Sequence, residues 1–561
     1  MKPAACCAAF LIVLLGAAPS PAAAQRLEGG AATVLSAIPL GADETRPPPR
    51  QDRPPAGHRR SADEVGAIAD RLALVRGERR RYPGATREVL LKGTTRWQVS
   101  LFAKTRPGTP RKEVAQVLIE DSSGKVLEAY KDYKVAWTMA RGYPGAFGGV
   151  VNSPIVWIPL AVLFVVPFLH PRRPKRMLHL DLLVLSAFSI SLACFNAAEI
   201  SWSVPLIYPL LLYLLGRMLW IGLRRRDAGE HARRPLELLV PVSWLAIAIV
   251  FLLGFRVALN VTRSNVIDVG YAGVIGADRL VDGRALYGEF PSDNQNGDTY
   301  GPAVYAAYVP FEQALTWSGK WDDLPAAHAA AIAFDLLACL LCFLVGRRIR
   351  GPDLGVVLAY AWVTFPFTLY ASMANSNDAL VAALVLAALW AAGRPVARGA
   401  MVALAGLTKF APLVLAPLYA MHSGRRARPL ALFSLGFVVA AALVFAPVLV
   451  HNDLRSFWDA SIAFQFERGS PFSVWGLYEG TWIDTVQRAV QIVAVVGAVL
   501  LAFVPRRRDV VGLAALSAAI LIALQLGVTH WFYLYIPWFF PLVMIALLGR
   551  WGAPVRLAAR A

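Results

Sequence analysis

Long apolar runs separated by short basic clusters dominate the chain. Eleven such runs lie at about 153–169, 179–198, 203–223, 236–258, 325–346, 353–372, 376–393, 430–450, 484–504, 510–528 and 532–548. An α-helix needs about 20 mostly apolar residues to cross the hydrocarbon core of a bilayer. Together with a hydrophobic content of 57%, this pattern predicts an all-α polytopic membrane protein.

The basic clusters orient these predicted helices. The formal net charge is +19, but many Lys and Arg residues sit at the ends of apolar runs, as at 170–176, 224–234 and 505–508. Such clusters mark the cytoplasmic ends of spans, so the charge does not indicate a nucleic-acid partner. Placing them inside predicts a multi-pass protein of the cell membrane. Its N-terminal domain is then extracytoplasmic and its C-terminus cytoplasmic.

One apolar segment, 398–429, carries basic residues at both ends. It cannot be a single full span without breaking the alternation of inside and outside ends. Its centre reads LTKFAP, and Pro412 removes a backbone donor. We therefore predict a helical hairpin that bends at this point, in addition to eleven full spans.

The segment before the first span predicts three regions. Residues 1–24 have a lysine, a short apolar core and an Ala-x-Ala ending, which indicates a signal peptide. Residues 25–60 are rich in Pro, Arg and Gly and predict a disordered linker. Residues 61–150 predict a small α+β domain, whose first helix is capped by Ser61 and Glu64 and is followed by alternating strands with a turn at 122–124.

That order of helix, strand and hairpin, with DSSGKVLEAY at the turn, resembles a PepSY-like domain. The resemblance covers about 80 residues and implies a fold, without a catalytic constellation. The five cysteines add no site. Two lie in the predicted signal peptide and the others in apolar helices, where the C-x-x-C of Cys339 and Cys342 indicates neither a redox motif nor a zinc site.

The loop after the fourth run holds the most informative acid. Apolar residues at spacings that suit a helix predict a short interfacial helix over 267–281, which Asp268 opens. The positive end of a helix dipole favours an ionised carboxylate there. From the residues alone, Asp268 is either a helix cap or a catalytic group.

The loop continues with Tyr271, a Gly-x-x-Leu-Tyr stretch at 283–287, and Tyr300-Gly301-Pro302 before an apolar helix. An acid followed by this series resembles the first-loop pattern of GT-C glycosyltransferases, most similarly family 87, which depends on polyprenyl-phosphate sugars. Gly301 replaces the first Pro of that pattern, and Asp268 is two residues closer to its tyrosine. The resemblance covers residues 236–548, so that 151–235 are accessory transmembrane helices and 549–561 a cytoplasmic tail.

The resemblance implies transfer of mannose or arabinofuranose from a polyprenyl-phosphate donor to a cell-envelope glycolipid or glycan on the outer face. It also implies that Asp268 is the general base of an inverting reaction, although Asp298 is a second candidate. A polyprenyl phosphate is already a good leaving group, so one base and cations for the phosphate suffice. Glycoside hydrolysis, in contrast, normally uses two carboxylates.

Three residues are predicted to bind the donor phosphate: Lys409 at the hairpin bend, Arg468 in the second outer loop, and His530 before the last span. Each of these residues also has an alternative interpretation that involves no donor. Lys409 could form an ion pair with Asp335, Arg468 could be a solvated loop residue, and the aromatic residues near His530 could form an interfacial belt.

Further outward-facing polar residues are predicted to bind substrate, and these are Tyr271, Asp298, Tyr300, Asn377, Asp378 and Ser470. Capping of the next helix is an alternative for Asn377. No metal and no cofactor are expected, and a weak dependence on divalent cations is left open. A different class of function is a polytopic transporter or lipid flippase with an extracytoplasmic sensing domain, which would need charges along a path and broken helices in two halves.

Overall fold

The computed structural model describes residues 45–104, 111–142, 148–224, 235–424, 426–451, 454–478, 480–504 and 509–556. The predicted signal peptide, residues 25–44 of the predicted linker and residues 557–561 of the predicted tail lie outside the described residues. The chain divides into two compact units, Met1–Ala136 and Trp137–Ala561. The division therefore precedes the predicted domain boundary at residue 150.

The first unit is an antiparallel sheet with helices. Its strands pair in sequence order and are β1 (Thr45–Arg46), β2 (Thr86–Lys92), β3 (Arg96–Ala103), β4 (Lys112–Glu120) and β5 (Val126–Lys131). The helices are α1 (Ala62–Asp70), α2 (Ala73–Arg81) and α3 (Tyr133–Ala136). Apolar residues that alternate along the strands pack with α1 into a core around Trp97, which is 0% exposed.

The predicted capping box is present, since Ser61 Oγ accepts from the N–H of Glu64 and the Glu64 carboxylate accepts from the N–H of Ser61. The linker prediction, however, is wrong for residues 45–60. Strand β1 pairs with β2, and the buried Asp121 carboxylate accepts hydrogen bonds from the N–H groups of Arg59 and Arg60, at 2.7 and 3.2 Å. Because a buried carboxylate needs hydrogen-bond donors, these bonds hold residues 59–60 in a fixed position against the sheet.

The second unit is helical. Its helices are α4 (Pro154–Val165), α5 (Met177–Asn196), α6 (Ile200–Leu223), α7 (Val242–Arg263), α8 (Asp268–Val281), α9 (Pro302–Ala314), α10 (Pro325–Arg350), α11 (Pro352–Thr364), α12 (Pro366–Met373), α13 (Asp378–Trp390), α14 (Pro395–Thr408), α15 (Ala416–Ala420), α16 (Ala427–His451), α17 (Leu454–Phe457), α18 (Phe464–Glu467), α19 (Val474–Leu477), α20 (Thr481–Leu501), α21 (Val510–Gly527) and α22 (Ile536–Leu548). Two short parallel strands, β6 (Leu236–Leu238) and β7 (Pro554–Arg556), pair with each other.

Every predicted span contains helix, but fewer helices than eleven are long enough to cross a membrane. Among the described residues, seven helices have the required length and apolar composition, or eight if the bent pair α11 and α12 is one span. That pair is bent by 58° at Pro366, whose ring removes a hydrogen-bond donor from the helix. Apolar helices such as α4, α13 and α14 are shorter. The chain is nonetheless a polytopic helical membrane protein.

The predicted break at LTKFAP is confirmed. Helix α14 ends at Thr408, Lys409 is extended (φ −140°, ψ 128°), and a 3₁₀ turn over Ala411–Leu415 leads into α15. The alternative partner for Lys409 is wrong, because Asp335 instead pairs with Arg256 of α7, with Nη2–Oδ1 at 2.5 Å and Nε–Oδ2 at 2.8 Å. A buried ion pair with two hydrogen bonds satisfies both charges within the helices.

Candidate active site

Asp268 is the first residue of α8, and its position is set by the turn before α13. The N–H of Ile267 donates to the Ala374 carbonyl at 3.3 Å, and the Asn294 side chain donates to the Asp268 carbonyl at 3.0 Å. The side chain of Asp268 is accessible to solvent. The protein around it nevertheless removes the carboxyl from bulk water and raises its pKa. We refer to the surroundings of this carboxyl as the recess.

Two cations act on this carboxyl. Arg468 and Lys409 both lower the pKa of Asp268, as does a hydrogen bond from the backbone N–H of Val269, and these effects partly offset the effect of burial. Such interactions between charges are strong where little water screens them. Residues from α8, from the bend after α14 and from the loop before α19 therefore meet in one recess.

Lys409 is held at the recess by a carboxylate and aromatic rings. Its Nζ lies 2.6 Å from Asp378 Oδ1, and the two side chains are 10% and 0% exposed. Trp538 Nε1 donates to the same oxygen at 2.8 Å. The ammonium also lies 5.5 Å from the ring centroid of Tyr300 and 5.6 Å from that of Tyr535, within cation–π range.

Gly301 explains why the Tyr300-Gly301-Pro302 motif lies against the Lys409 bend. The N–H of Gly301 donates to the Thr408 carbonyl at 3.3 Å, and a Cβ atom at Gly301 would overlap the Leu407 carbonyl oxygen. A proline has no N–H to donate. The departure from the family pattern at this position therefore has a structural reason.

Arg468 and His530 form the other side of the recess. The pKa of His530 lies well below its usual value because of burial and of the nearby charges of Arg468 and Lys409, so its ring is neutral at physiological pH. Ser470 Oγ lies 2.9 Å from His530 Nδ1. Within the part of the chain that the structure describes, no carboxylate lies within 4.0 Å of Arg468.

Tyr300, Ser470 and Asp378 thus lie at the recess with the predicted base and cations. The Tyr300 hydroxyl stays protonated, because burial and the nearby Asp268 carboxylate raise its pKa well above the usual value. Asn377 does not cap α13 with its side chain. Among the described residues, both polar atoms of the Asn377 side chain and Oδ2 of Asp378 are buried without a hydrogen-bond partner.

The structure uses the other two predicted residues elsewhere. Tyr271 is buried, its hydroxyl donates to Asp293 at 3.2 Å, and its ring packs on Trp321 with centroids 4.9 Å apart. Asp298 accepts from the N–H of Gly288 at 2.7 Å. Both side chains hold the loop between α8 and α9 in shape.

A network of polar side chains next to Asp268 was not predicted from the sequence. Asn375 has a left-handed backbone, with φ 49°, and its side chain donates to Ser264 Oγ at 2.9 Å and to the Asn265 carbonyl at 3.1 Å. The Asn260 side chain donates to Asn375 Oδ1 at 2.8 Å. This network fixes the chain just before α8 against the turn just before α13, and thus Asp268 against Asp378.

Among the described residues, the recess holds the accessible carboxylate of Asp268, the cations Lys409 and Arg468, and a neutral His530. In the described part of the chain, no group of three or more His, Cys, Asp or Glu residues has the arrangement of a metal site. The residues present suit proton removal from a hydroxyl and binding of an anionic group.

Comparison with known proteins identifies this region. Residues 299–529 match the model of glycosyltransferase family 87. No curated protein matches the chain. The matched residues include Tyr300, Asp378, Lys409 and Arg468, whereas Asp268 precedes them and His530 follows them directly. The match begins just before the Tyr300 motif and runs through both cations of the recess, so residues 299–529 are similar to glycosyltransferase family 87 and support a membrane glycosyltransferase.

Proposed function

We propose that this glycosyltransferase transfers a sugar from a polyprenyl-phosphate donor to a hydroxyl of a cell-envelope glycolipid or glycan, at the outer face of the membrane. The observation that carries the proposal is the solvent-accessible carboxylate of Asp268, on which Arg468 and Lys409 both act electrostatically. The sugar is mannose or arabinofuranose, as the family resemblance implies.

The reaction is a single displacement that inverts the anomeric carbon. Asp268 accepts the proton of the acceptor hydroxyl as its oxygen bonds to that carbon. The bond from the carbon to the phosphate oxygen breaks, and the polyprenyl phosphate leaves with the electron pair. Arg468 and Lys409 stabilise the negative charge that develops on the phosphate, as charge-assisted hydrogen-bond donors do in a partly desolvated site.

The remaining recess residues have supporting roles. Asp378 holds Lys409, and Ser470 orients the His530 ring. A neutral His530 donates a hydrogen bond to the phosphate or a sugar hydroxyl without adding charge. The unpartnered amide of Asn377 suits the hydroxyl groups of a sugar, and the ring of Tyr300 completes the wall of the recess.

The test is transfer of labelled sugar by the purified full chain, with mannosyl and arabinofuranosyl polyprenyl phosphates supplied separately. We expect Asp268→Asn to lower kcat by about 100-fold or more, since positioned general bases contribute on the order of 10²–10⁴. Asp282→Asn is the matched control, because Asp282 ends the same helix and pairs with Arg284 at the surface. It should transfer at the wild-type rate.

Full transfer by folded Asp268→Asn would reject Asp268 as the base, and loss of transfer in Asp298→Asn alone would assign that role to Asp298. Solute transport by reconstituted wild-type protein without any glycosylated product would instead support the transporter hypothesis. The accessible carboxylate and the nearby cations are accounted for by sugar transfer, so they do not by themselves support a transporter.

A further inference from the structure

Trp137 lies between two residues of the recess although it is distant from them in sequence. Its indole stacks on the His530 ring, with centroids 5.4 Å apart and planes inclined by 29°. The guanidinium carbon of Arg468 lies 5.1 Å from the centroid of the same indole. Trp137 precedes the family match at 299–529 by more than a hundred residues, and the sequence patterns did not single it out.

The backbone holds Trp137 in this position. The N–H of Ala140 donates to the Trp137 carbonyl at 2.9 Å, and Ala140 is fully buried. At Gly142 the backbone is left-handed (φ 60°), and a Cβ atom there would lie 2.6 Å from the backbone nitrogen of Ala198. The turn that follows Trp137 therefore packs tightly on the connection between α5 and α6.

Aromatic neighbours enclose the indole on a further side. The Phe472 ring meets Trp137 edge-on, with centroids 5.4 Å apart, and also contacts His530 at 5.7 Å. Phe195 of α5 packs on Phe472 at 5.5 Å. The indole thus occupies a defined place in an aromatic cluster, from which Arg468 and His530 extend into the recess.

The two cations of the recess are held in chemically different ways. Lys409 has a carboxylate partner, Asp378, which takes up one of its donors. Arg468 lies against an indole, and within the described residues it has no ion-pair partner. A guanidinium that stacks on an aromatic face keeps its N–H donors available at its edge, where they match the oxygens of a phosphate.

We propose that Trp137 is a positioning residue of the donor site, which orients the Arg468 guanidinium and the His530 ring toward the phosphate of the polyprenyl-phosphate donor. This inference rests on the proposed function. It assigns part of the donor site to a segment outside the region that matches the family.

The experiment compares full-length Trp137→Leu, Trp137→Phe and Trp475→Leu. Trp475 is the matched control, because it lies in the same outer region but bonds to the Leu526 carbonyl and packs on Tyr208. We expect Trp137→Leu to raise the donor KM about five- to thirtyfold, the range of a cation–π contact, while the acceptor KM stays unchanged. Trp137→Phe should recover most of the loss, and Trp475→Leu should leave donor KM unchanged.

A second measurement separates this inference from the proposed function. Binding of a short-chain prenyl monophosphate is titrated directly, without catalysis, and Trp137→Leu should weaken it by the same factor. In an Arg468→Gln background, Trp137→Leu should weaken this binding by a smaller factor than in wild type, because the part of its role that acts through Arg468 is already lost. If Trp137→Leu does not fold, Trp137→Phe is compared in the same two backgrounds.

The results that would overturn the inference are specific. Unchanged donor KM and unchanged binding of the prenyl monophosphate in Trp137→Leu would do so, as would a loss confined to kcat. If wild type binds the prenyl monophosphate but transfers no sugar, the proposed function fails, and the binding titration still decides the role of Trp137. If wild type does not bind the prenyl monophosphate, both fail.

Discussion

Asp268 is subject to opposing influences on its ionisation. The surrounding protein raises the pKa of its carboxyl, while Arg468, the N–H of Val269 and Lys409 lower it, and the net direction is upward. A general base must be ionised to accept a proton. A raised pKa brings a base closer to the operating pH, where proton transfer is most effective.

This balance predicts a pH profile. In wild type, kcat/KM should fall with decreasing pH as Asp268 becomes protonated, at a pH above that of an ordinary aspartate. Arg468→Gln should move this acid limb to still higher pH, because it removes the charge that lowers the pKa most among the groups around Asp268. The measurement is kcat/KM against pH for wild type and Arg468→Gln. The pH at the midpoint of the acid limb is compared between the two proteins, and the maximal value of kcat/KM is not.

Arg455→Gln is the control for this profile, since Arg455 is exposed in α17, in the same part of the chain as Arg468, and pairs with Asp459. Its acid limb should coincide with that of wild type. An acid limb in Arg468→Gln that does not move would show that Arg468 exerts no field on the base. The titration would then belong to another group.

At this scale, Asp268 and Lys409 were predicted as site residues because charge beside apolar runs is costly and so needs a purpose. Arg468 was predicted from its place in the second large loop. Asp298 and Tyr271 were found by pattern, yet they form hydrogen bonds within the loop. Nothing local marks Asn375 or Trp137, since their roles depend on partners distant in the chain.

Among the elements, a close backbone contact at the recess joins the start of α9 to the end of α14. Glycine fits at position 301 because its N–H donates to the Thr408 carbonyl and because there is no space for a Cβ atom beside the Leu407 carbonyl. The contact sets the distance between Tyr300 and Lys409, and therefore the shape of the recess.

We expect Gly301→Ala to destabilise the protein by about 1–3 kcal/mol, the usual cost of overpacking, and to lower transfer by displacing Lys409. Thermal unfolding of the detergent-solubilised protein and transfer rate are the measurements. Gly469→Ala is the control, because a Cβ atom at Gly469 meets nothing within 4 Å. Equal stability and rate for the two variants would contradict this account of the motif.

Helix positions followed from apolar periodicity, but helix lengths did not. The run at 353–372 contains one of the bends, where Pro366 starts a second helix inclined by 58°. Hydropathy averages over such a break, since both halves are apolar. The interruption at Lys409 was predictable because a charge and a proline mark it. The interaction of Asp121 with residues 59–60 was not, since composition alone made that segment resemble a tether.

At the scale of the whole molecule, the arrangement of basic clusters predicts which ends lie outside. A membrane-impermeant maleimide should label Leu127→Cys in intact cells, because Leu127 is exposed on the first unit. Lys175→Cys, in the exposed turn between α4 and α5, should be labelled only after the membrane is permeabilised. Wild type provides the labelling background, since Cys339 and Cys342 are buried and Cys194 is partly exposed. The reverse pattern of labelling would invert the proposed topology and place the recess inside.

The residues of the recess extend beyond the segment that the family model matches. The segment that the family model identifies, 299–529, contains Lys409 and Arg468. The proposed base lies before it, His530 is the next residue after it, and Trp137 belongs to a stretch that family comparison passes over. A gene fragment cut at those limits would encode the cations without the groups that they serve. The segment that the proposed function requires is therefore longer than the matched one, and it includes the turn at 137–142.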